Sequence, residues 1–278
     1  MEKKAVIVCQ TPFQFYSAIV ISKLITVPID LWLIDNHMQY FTPLAKEENI
    51  WEKVFTAYRD TKGNKIKFFS SIFREQRRIK KYILENRPSH VYVFADNNEL
   101  CAAFVSYSKR ICKSCVILVE EGTTVYSSPF RVKASKPKYI FRKILGIANP
   151  RGYLIGWSKE IDKLIVSNKK LAHPEYIQDR IVLEWPQGKF PNFAANTFLK
   201  NIYTQNDFTK FGILYLGQPI VEMGLIPKKL EKELLAVLDS LESEEIYVKH
   251  HPFEKEGKHK NFANLSYLPE ELKSIPAE

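Results

Sequence analysis

Short apolar runs that end in polar or turn-forming residues, most of them followed by a helical pattern, recur along this chain and leave it few folds. Ala5-Val6-Ile7-Val8-Cys9 runs into Gln10-Thr11-Pro12, and Phe13 to Leu24 reads as a helix. Asp30 to Ile34 and Val54 to Tyr58 are further runs, and Ser71 to Glu85 predicts a basic amphipathic helix with Phe73, Ile79 and Ile83 turned inward. His90 to Phe94 leads through Ala95-Asp96-Asn97-Asn98 into a helix from Glu99 to Ser108. Val116-Ile117-Leu118-Val119 ends at Glu120-Glu121-Gly122. Brief apolar runs flanked by turn residues predict buried strands, and their alternation with helices predicts an α/β protein with a parallel sheet covered on both faces.

The rest of the chain divides in three. In residues 123–160, Arg131, Lys133, Lys136, Lys138, Arg142, Lys143 and Arg151 form a basic stretch interleaved with aromatics. It reads as a solvated helix and loop, or as a surface for acidic lipid or an anionic acceptor. Leu164 to Ser167 is another strand, and residues 184–206, rich in Pro, Gly, Asn and aromatics, read as an interdomain connection. A second α/β unit opens at Phe211: strand Gly212 to Leu216, turn Gly217-Gln218-Pro219, helix Lys228 to Leu241, and strands at Ile246 to Val248 and Asn264 to Leu268. The expected domains are therefore 1–205 and 206–278, the second short for a Rossmann-like half and expected to be incomplete.

Composition narrows the partners. A chain of 278 residues with 45% hydrophobic residues can bury a sizeable core, and a net charge of +10 with pI near 9.2 favours an anionic partner. No RNA-binding signature or zinc finger is present, so nucleic acid is not an expected partner. The apolar stretch from Phe13 to Ile34 is broken by Lys23, Pro28 and Asp30, which fits neither a signal peptide nor a membrane span. The expected location is cytoplasmic, with peripheral contact at the inner face of the cell membrane. Four cysteines make no disulfide framework. Cys112-x-x-Cys115 has the spacing of a zinc half-site but no second pair to complete it, so both read as small core residues and no metal site is expected.

Ligands of open α/β sheets bind beyond the carboxyl ends of the strands. Glu120 and Glu121 stand at one such end, and His251-Pro252 follows Ile246-Tyr247-Val248 at another, 130 residues beyond Glu121. A carboxylate there can take a proton, and an imidazole can give one or stabilise a departing phosphate. Adjacent carboxylates raise each other's proton affinity. Thr11 and Gln14 suit either substrate contact or helix capping, and Asn97 is an acceptor-side candidate. Glu222 is an alternative base. His250 points to the opposite side if its strand continues, and Lys249 reads as solvent-facing. His173-Pro174 repeats the dipeptide away from a strand end and ranks below His251.

Five short motifs carry a resemblance: Gln10-Thr11-Pro12-Phe13-Gln14, Glu120-Glu121-Gly122, Leu216-Gly217-Gln218-Pro219, His251-Pro252 and Ser274-Ile275-Pro276-Ala277-Glu278. In this order the chain resembles glycosyltransferase family 52, bacterial sialyltransferases that modify lipooligosaccharide or capsule. The resemblance implies a GT-B-like fold of two Rossmann-like domains, inverting transfer from CMP-sialic acid to a surface glycan, and no cofactor. It implies that Glu121 or Glu120 is the general base and that His251 lies near the donor phosphate. Gln10, Thr11, Gln14, Asn97, Gly217, Gln218 and Pro252 are then substrate-side residues, and Glu278 stands where relatives hold the cytidine ribose. The Ser-Ser or Ser-Thr pair that lies beyond this glutamate in relatives and holds the phosphate does not follow Glu278 here, so weak binding of cytidine monophosphate, or none, is expected. The leaving group is a monophosphate ester and the chain has no Asp-x-Asp, so no metal is expected in the reaction. A homo-oligomer is a further expectation. The alternatives are another GT-B glycosyltransferase with a different nucleotide-sugar donor, and a non-catalytic basic protein that binds nucleic acid or acidic lipid.

Overall fold

The structure, a computed structural model, describes residues 3–60, 65–96, 98–120, 125, 136–145, 156, 158–177, 180–185, 213–216, 227–241, 246–249 and 265–267. The chain forms two compact units, Met1–Asn192 and Phe193–Glu278. The boundary expected at 205/206 lies outside the described residues.

The first unit is built on seven parallel strands: β1 (Ala5–Cys9), β2 (Ile29–Ile34), β3 (Lys53–Ala57), β4 (His90–Val93), β5 (Cys115–Val119), β6 (Lys163–Val166) and β7 (Ile181–Glu184). Their order is β3-β2-β1-β4-β5-β6-β7. The chain therefore winds outward from β1 to β3, returns to β4 beside β1, and winds out the other way. The crevice between the carboxyl ends of β1 and β4 is the switch point, where open sheets of this kind take their ligands. β1 and β2 are buried throughout, whereas the edge strands β3 and β7 expose residues, as expected for a sheet covered by helices. Strand β7 was not expected from the sequence.

The helices in order are α1 (Pro12–Ser22), α2 (Thr42–Glu47), α3 (Lys65–Asn86), α4 (Glu99–Tyr107), α5 (Lys136–Ile144) and α6 (Pro174–Ile177). An aromatic cluster joins three layers: Trp32 of β2 stacks on Phe55 of β3 at 4.8 Å and meets Tyr82 of α3 and Phe104 of α4 edge-on at 5.3 and 5.1 Å. Each such pair adds about 0.5–1.5 kcal/mol beyond burial. Beneath it the fully buried Asp30 accepts a hydrogen bond from Tyr82 Oη at 2.8 Å and pairs with Lys4 Nζ at 3.3 Å.

Helix α3 begins six residues before the expected Ser71, and this resets its faces. Ile72, Gln76, Ile79 and Ile83 face the core, one turn apart. Phe73, expected inward, lies one position round the helix and is 43% exposed. It turns instead toward Phe141 of α5, 6.1 Å away.

The second unit has a parallel sheet in the order β10-β9-β8. Its strands are β8 (Ile213–Leu216), β9 (Ile246–Lys249) and β10 (Leu265–Tyr267), with α7 (Lys228–Asp239) between β8 and β9. These match the expected strand and helix positions to within two residues at each end. Among the described residues no helix is long and apolar enough to cross a membrane.

Candidate active site

The carboxyl rim of the large sheet gathers the polar residues that the strand ends deliver. At β1 the chain turns through Gln10 and Thr11 into α1. Pro12 occupies the first helical position, where no backbone N–H is required. Thr11 Oγ1 accepts the Gln14 N–H at 3.2 Å, and Gln14 Oε1 accepts the Gln10 N–H at 2.7 Å. This reciprocal arrangement is a capping box displaced by one residue. Gln14 is fully buried, and its Nε2 has no hydrogen-bond partner. Thr11 and Gln14 are thus engaged in fixing the β1–α1 turn. Gln10 reaches across the switch point, its Oε1 lying 3.5 Å from Cys101 Sγ of α4.

Strand β5 ends at Glu120, whose N–H extends the sheet by donating to Ile165 O at 2.9 Å. Its carboxylate, in a residue 8% exposed, accepts the Ser167 N–H at 2.6 Å and a hydrogen bond from the Ser167 hydroxyl. Glu120 therefore clamps the end of β5 to the end of β6. Of the two acids this one is spent on the scaffold. Glu121, Asn97, Gly217, Gln218, His251, Pro252 and Glu278 lie outside the described residues, as do Glu222 and His250. Lys249 is the last residue of β9. His173 is half-buried before α6, its N–H donating to Val125 O at 3.0 Å, away from any strand end.

The sequence reading missed a chain of charges along the same rim. Asp35, directly after β2, takes both oxygens to Arg59 Nε and Nη2, each at 2.8 Å. Arg59 Nη1 continues to Glu99 Oε2 at 3.1 Å, and Arg142 of α5 closes on Glu99 Oε1 through Nη2 at 2.9 Å and Nε at 3.2 Å. Asn98, the N-cap of α4, accepts the Leu100 N–H at 2.8 Å and donates to Asp35 at 3.3 Å. Two carboxylates and two guanidiniums balance. Burial pushes the Glu99 carboxyl upward, but the Arg142 and Arg59 charges outweigh it and hold the group below its usual range. Arg142, expected in a solvated basic stretch, is 1% exposed. Asp35 also carries φ 80° and ψ 156°, a region that costs a residue with a Cβ about 1–3 kcal/mol. Its pairing with Arg59 and its N–H bond to Ala57 O at 2.8 Å hold it there.

A further buried acid shapes the rim beyond β4. Asp96 accepts the Gly156 N–H at 2.7 Å and the Ser158 N–H at 2.8 Å, binding the segment that leads into β6. Burial raises its proton affinity, and these two donors oppose the rise. Gly156 has φ 88°, a conformation that glycine adopts without steric cost.

Asp35 and Asp96 follow strand ends as Glu120 does, so the rule that picked out Glu120 would have found them. Nothing in the sequence marks Arg142 as buried. At the β3 end of the rim lies an open cavity of about 1050 Å³, lined by Gln39, Tyr58, Asp60, Lys67 and Arg74 among others. Among the described residues no group of three or more His, Cys, Asp or Glu side chains is placed to hold a metal ion.

Comparison with known proteins adds to this geometry. The alpha-2,8-polysialyltransferase family model matches residues 20–278. The solved structure of UDP-GlcNAc 2-epimerase from Neisseria meningitidis bound to UDP-GlcNAc is similar, with TM-score 0.59 and 13% identity, over 98% of this chain and 74% of that one. A second UDP-N-acetylglucosamine 2-epimerase structure gives TM-score 0.51 and 14% identity, over 99% of this chain and 71% of that one. At these identities the likeness speaks for the fold, which is the α/β, GT-B-like class expected from the sequence. No curated protein sequence matches the chain.

Proposed function

The chain belongs to the alpha-2,8-polysialyltransferase family and is a glycosyltransferase, and we propose that it moves sialic acid from CMP-sialic acid to a bacterial surface glycan, lipooligosaccharide or capsule, with inversion and without a metal. The observation that carries the reading is the family match over residues 20–278. Its Glu-Glu-Gly and His-Pro motifs also support kinship with glycosyltransferase family 52. The family's name makes a glycan ending in sialic acid the first acceptor to try.

In this reading Glu121 removes the proton of the attacking hydroxyl, and His251 stabilises or protonates the departing phosphate. The clamp between Glu120 and Ser167 favours Glu121 over Glu120 as base, because the Glu120 carboxylate is already engaged by the Ser167 N–H and hydroxyl in joining β5 to β6. Gln10 at the switch point, with Asn97 on the next loop, serves the acceptor side. Gly217, Gln218, Pro252 and Glu278 serve the donor.

The test is transfer from CMP-sialic acid to a sialyl-terminated oligosaccharide in the presence of EDTA, with UDP-GlcNAc as the competing donor. Sialylated product of inverted anomeric configuration is expected from the first donor and none from the second. Transfer from UDP-GlcNAc alone, or complete loss of activity with EDTA that Mg²⁺ restores, would overturn the proposal.

A further inference from the structure

Helices α3 and α5 present to solvent a surface that the reaction does not account for. On α3, Ile66 is 77% exposed, Phe69 37% and Phe73 43%. These positions repeat at helical spacing and share one stripe. On α5, Ile140 is 55% exposed and Ile144 72%, one turn apart. Phe141 joins the two helices, with ring centroids 4.5 Å from Phe69 and 6.1 Å from Phe73. Exposed aliphatic and aromatic side chains on two neighbouring helices form a patch that water solvates poorly.

Among the described residues the exposed charges of these two helices are mostly basic, although Asp60 shares a cavity with Ile66. Exposed Arg74, Arg77, Lys80 and Lys81 flank the α3 stripe, and exposed Lys136 and Lys143 flank that of α5. The acids of these helices are few. Glu75 is 1% exposed and holds Arg74 and Arg78 at 3.1 and 2.5 Å, and Glu85 pairs with Lys81 at 3.8 Å. Arg74 lies over the Tyr58 ring at 5.4 Å and Arg78 over the Trp32 ring at 5.9 Å. Two of the guanidiniums are thus already oriented.

We infer that this face of α3 and α5 docks the protein on the surface of an anionic bilayer. A helix surface with Phe and Ile on one stripe and Lys and Arg beside it lies in the interface plane, its apolar side chains entering the headgroup boundary and its cations meeting lipid phosphates. A soluble polyanion would use the basic residues and leave Ile66, Ile140 and Ile144 in water. A bilayer uses both. The docking face adjoins the catalytic rim through α5 itself: Ile140 and Ile144 point outward, while Arg142 on the opposite side of the helix pairs with Glu99. A protein seated this way holds the rim close to the membrane, where a lipid-borne glycan presents its end.

The full chain is mixed with vesicles of phosphatidylcholine alone, or of phosphatidylcholine with a quarter phosphatidylglycerol, and the bound fraction is measured by flotation at low and physiological salt. Binding is expected to the anionic vesicles alone, weaker at the higher salt. I140E/I144E and R77E/K80E should each weaken it at least tenfold while retaining the wild-type melting curve. Should those variants melt early, I144C and K170C labelled with a polarity-sensitive dye replace them, a blue shift on anionic vesicles being expected at position 144 and none at 170. No binding to anionic vesicles, I140E/I144E binding as wild type while dextran sulfate displaces the protein, or no dye shift at 144 would each overturn the inference. The readout needs no sugar donor, so its failure leaves the reading of the reaction untouched.

Discussion

Glu120 and Glu121 are neighbours with the same side chain, and the clamp at Glu120 together with the proposed reaction predicts that replacing each by glutamine separates stability from turnover. The Glu120 carboxylate receives two hydrogen bonds from Ser167, one from its N–H at 2.6 Å and one from its hydroxyl. Glu120→Gln keeps the length and one carbonyl oxygen but removes the charge and turns an NH2 toward one donor. Exchanging a charge-assisted contact of about 1.5–3 kcal/mol for a neutral one of about 0.5–1.5 predicts a loss of about 1–2 kcal/mol. In a unit of this size that lowers the melting temperature by about 2–8 °C. Turnover per folded molecule should hardly change. Glu121→Gln should do the reverse, leaving the melt in place and reducing turnover by about 10²–10⁴, the worth of a general base. Calorimetric melts paired with initial rates at saturating donor measure both quantities. Ser167→Ala should lower the melt by a similar amount, and the double variant with Glu120→Gln should add little more, because both remove the same contact. A large loss of turnover in Glu120→Gln with an unchanged melt would reverse the two roles, and the clamp would not be what Glu120 is for.

His251→Ala should reduce transfer sharply and weaken donor binding by about 1.5–3 kcal/mol, the cost of a lost charge-assisted contact; titration calorimetry with the donor checks it, and His173→Ala is expected to match wild type. Thr11→Ala should lower stability by about 1 kcal/mol in urea melts and leave the KM for acceptor unchanged, as loss of a helix cap does, while a raised KM would return Thr11 to the substrate. Glu99→Ala takes from the buried Arg142 its carboxylate and from Arg59 one of its two, and should cost about 3–5 kcal/mol. Because the folded Glu99 pKa is depressed, its contribution is complete above the usual glutamate value of about 4.3 and is lost as pH falls through the lower folded value. The stability gap between wild type and Glu99→Gln should therefore narrow in acid melts below about pH 4; a gap that widens there would show that Glu99 is not held ionised by Arg142 and Arg59.

The strands of the first sheet were legible because buried parallel strands are apolar along their whole length and stop abruptly: Ala5 to Cys9 and Val116 to Val119 are visible as letters. Strand β7 was overlooked although Ile181-Val182-Leu183 is an apolar run of the same kind; it is short, lies at the sheet edge and adjoins the stretch 184–206 that reads as irregular. The inward face of α3 was misassigned at Phe73 because a hydrophobic residue beside a stripe looks like part of it. Only the neighbouring α5 reveals the side on which it packs. Helix α5 exposes the limit of composition most sharply. Lys136, Arg142 and Lys143 are equivalent in sequence, yet Arg142 is buried on Glu99 while Lys136 and Lys143 face water. What separates them is a carboxylate that reaches the rim from α4, a contact between residues 43 positions apart.

The same distinction governs the site. Strand ends reveal which residues reach the rim, whereas the hydrogen bonds reveal which of them are already committed. Asp35 is committed to Arg59, Glu99 to Arg142 and Arg59, Asp96 to the backbone of Gly156 and Ser158, and Glu120 to Ser167. Each commitment ties two segments distant in sequence: the ends of β2 and β3, helices α4 and α5, the β4–α4 loop and the segment that leads into β6, and the ends of β5 and β6. Acids suit the task because carboxylates can accept several donors at once and so satisfy the backbone N–H groups that loops leave open. Hydrogen bonds between neighbouring segments restrict their movement, and a base acts only when held in place. In the proposed reaction the base is then sought among the acids that these contacts do not engage, and Glu121, the next residue in sequence after the clamp at Glu120, is the first to test.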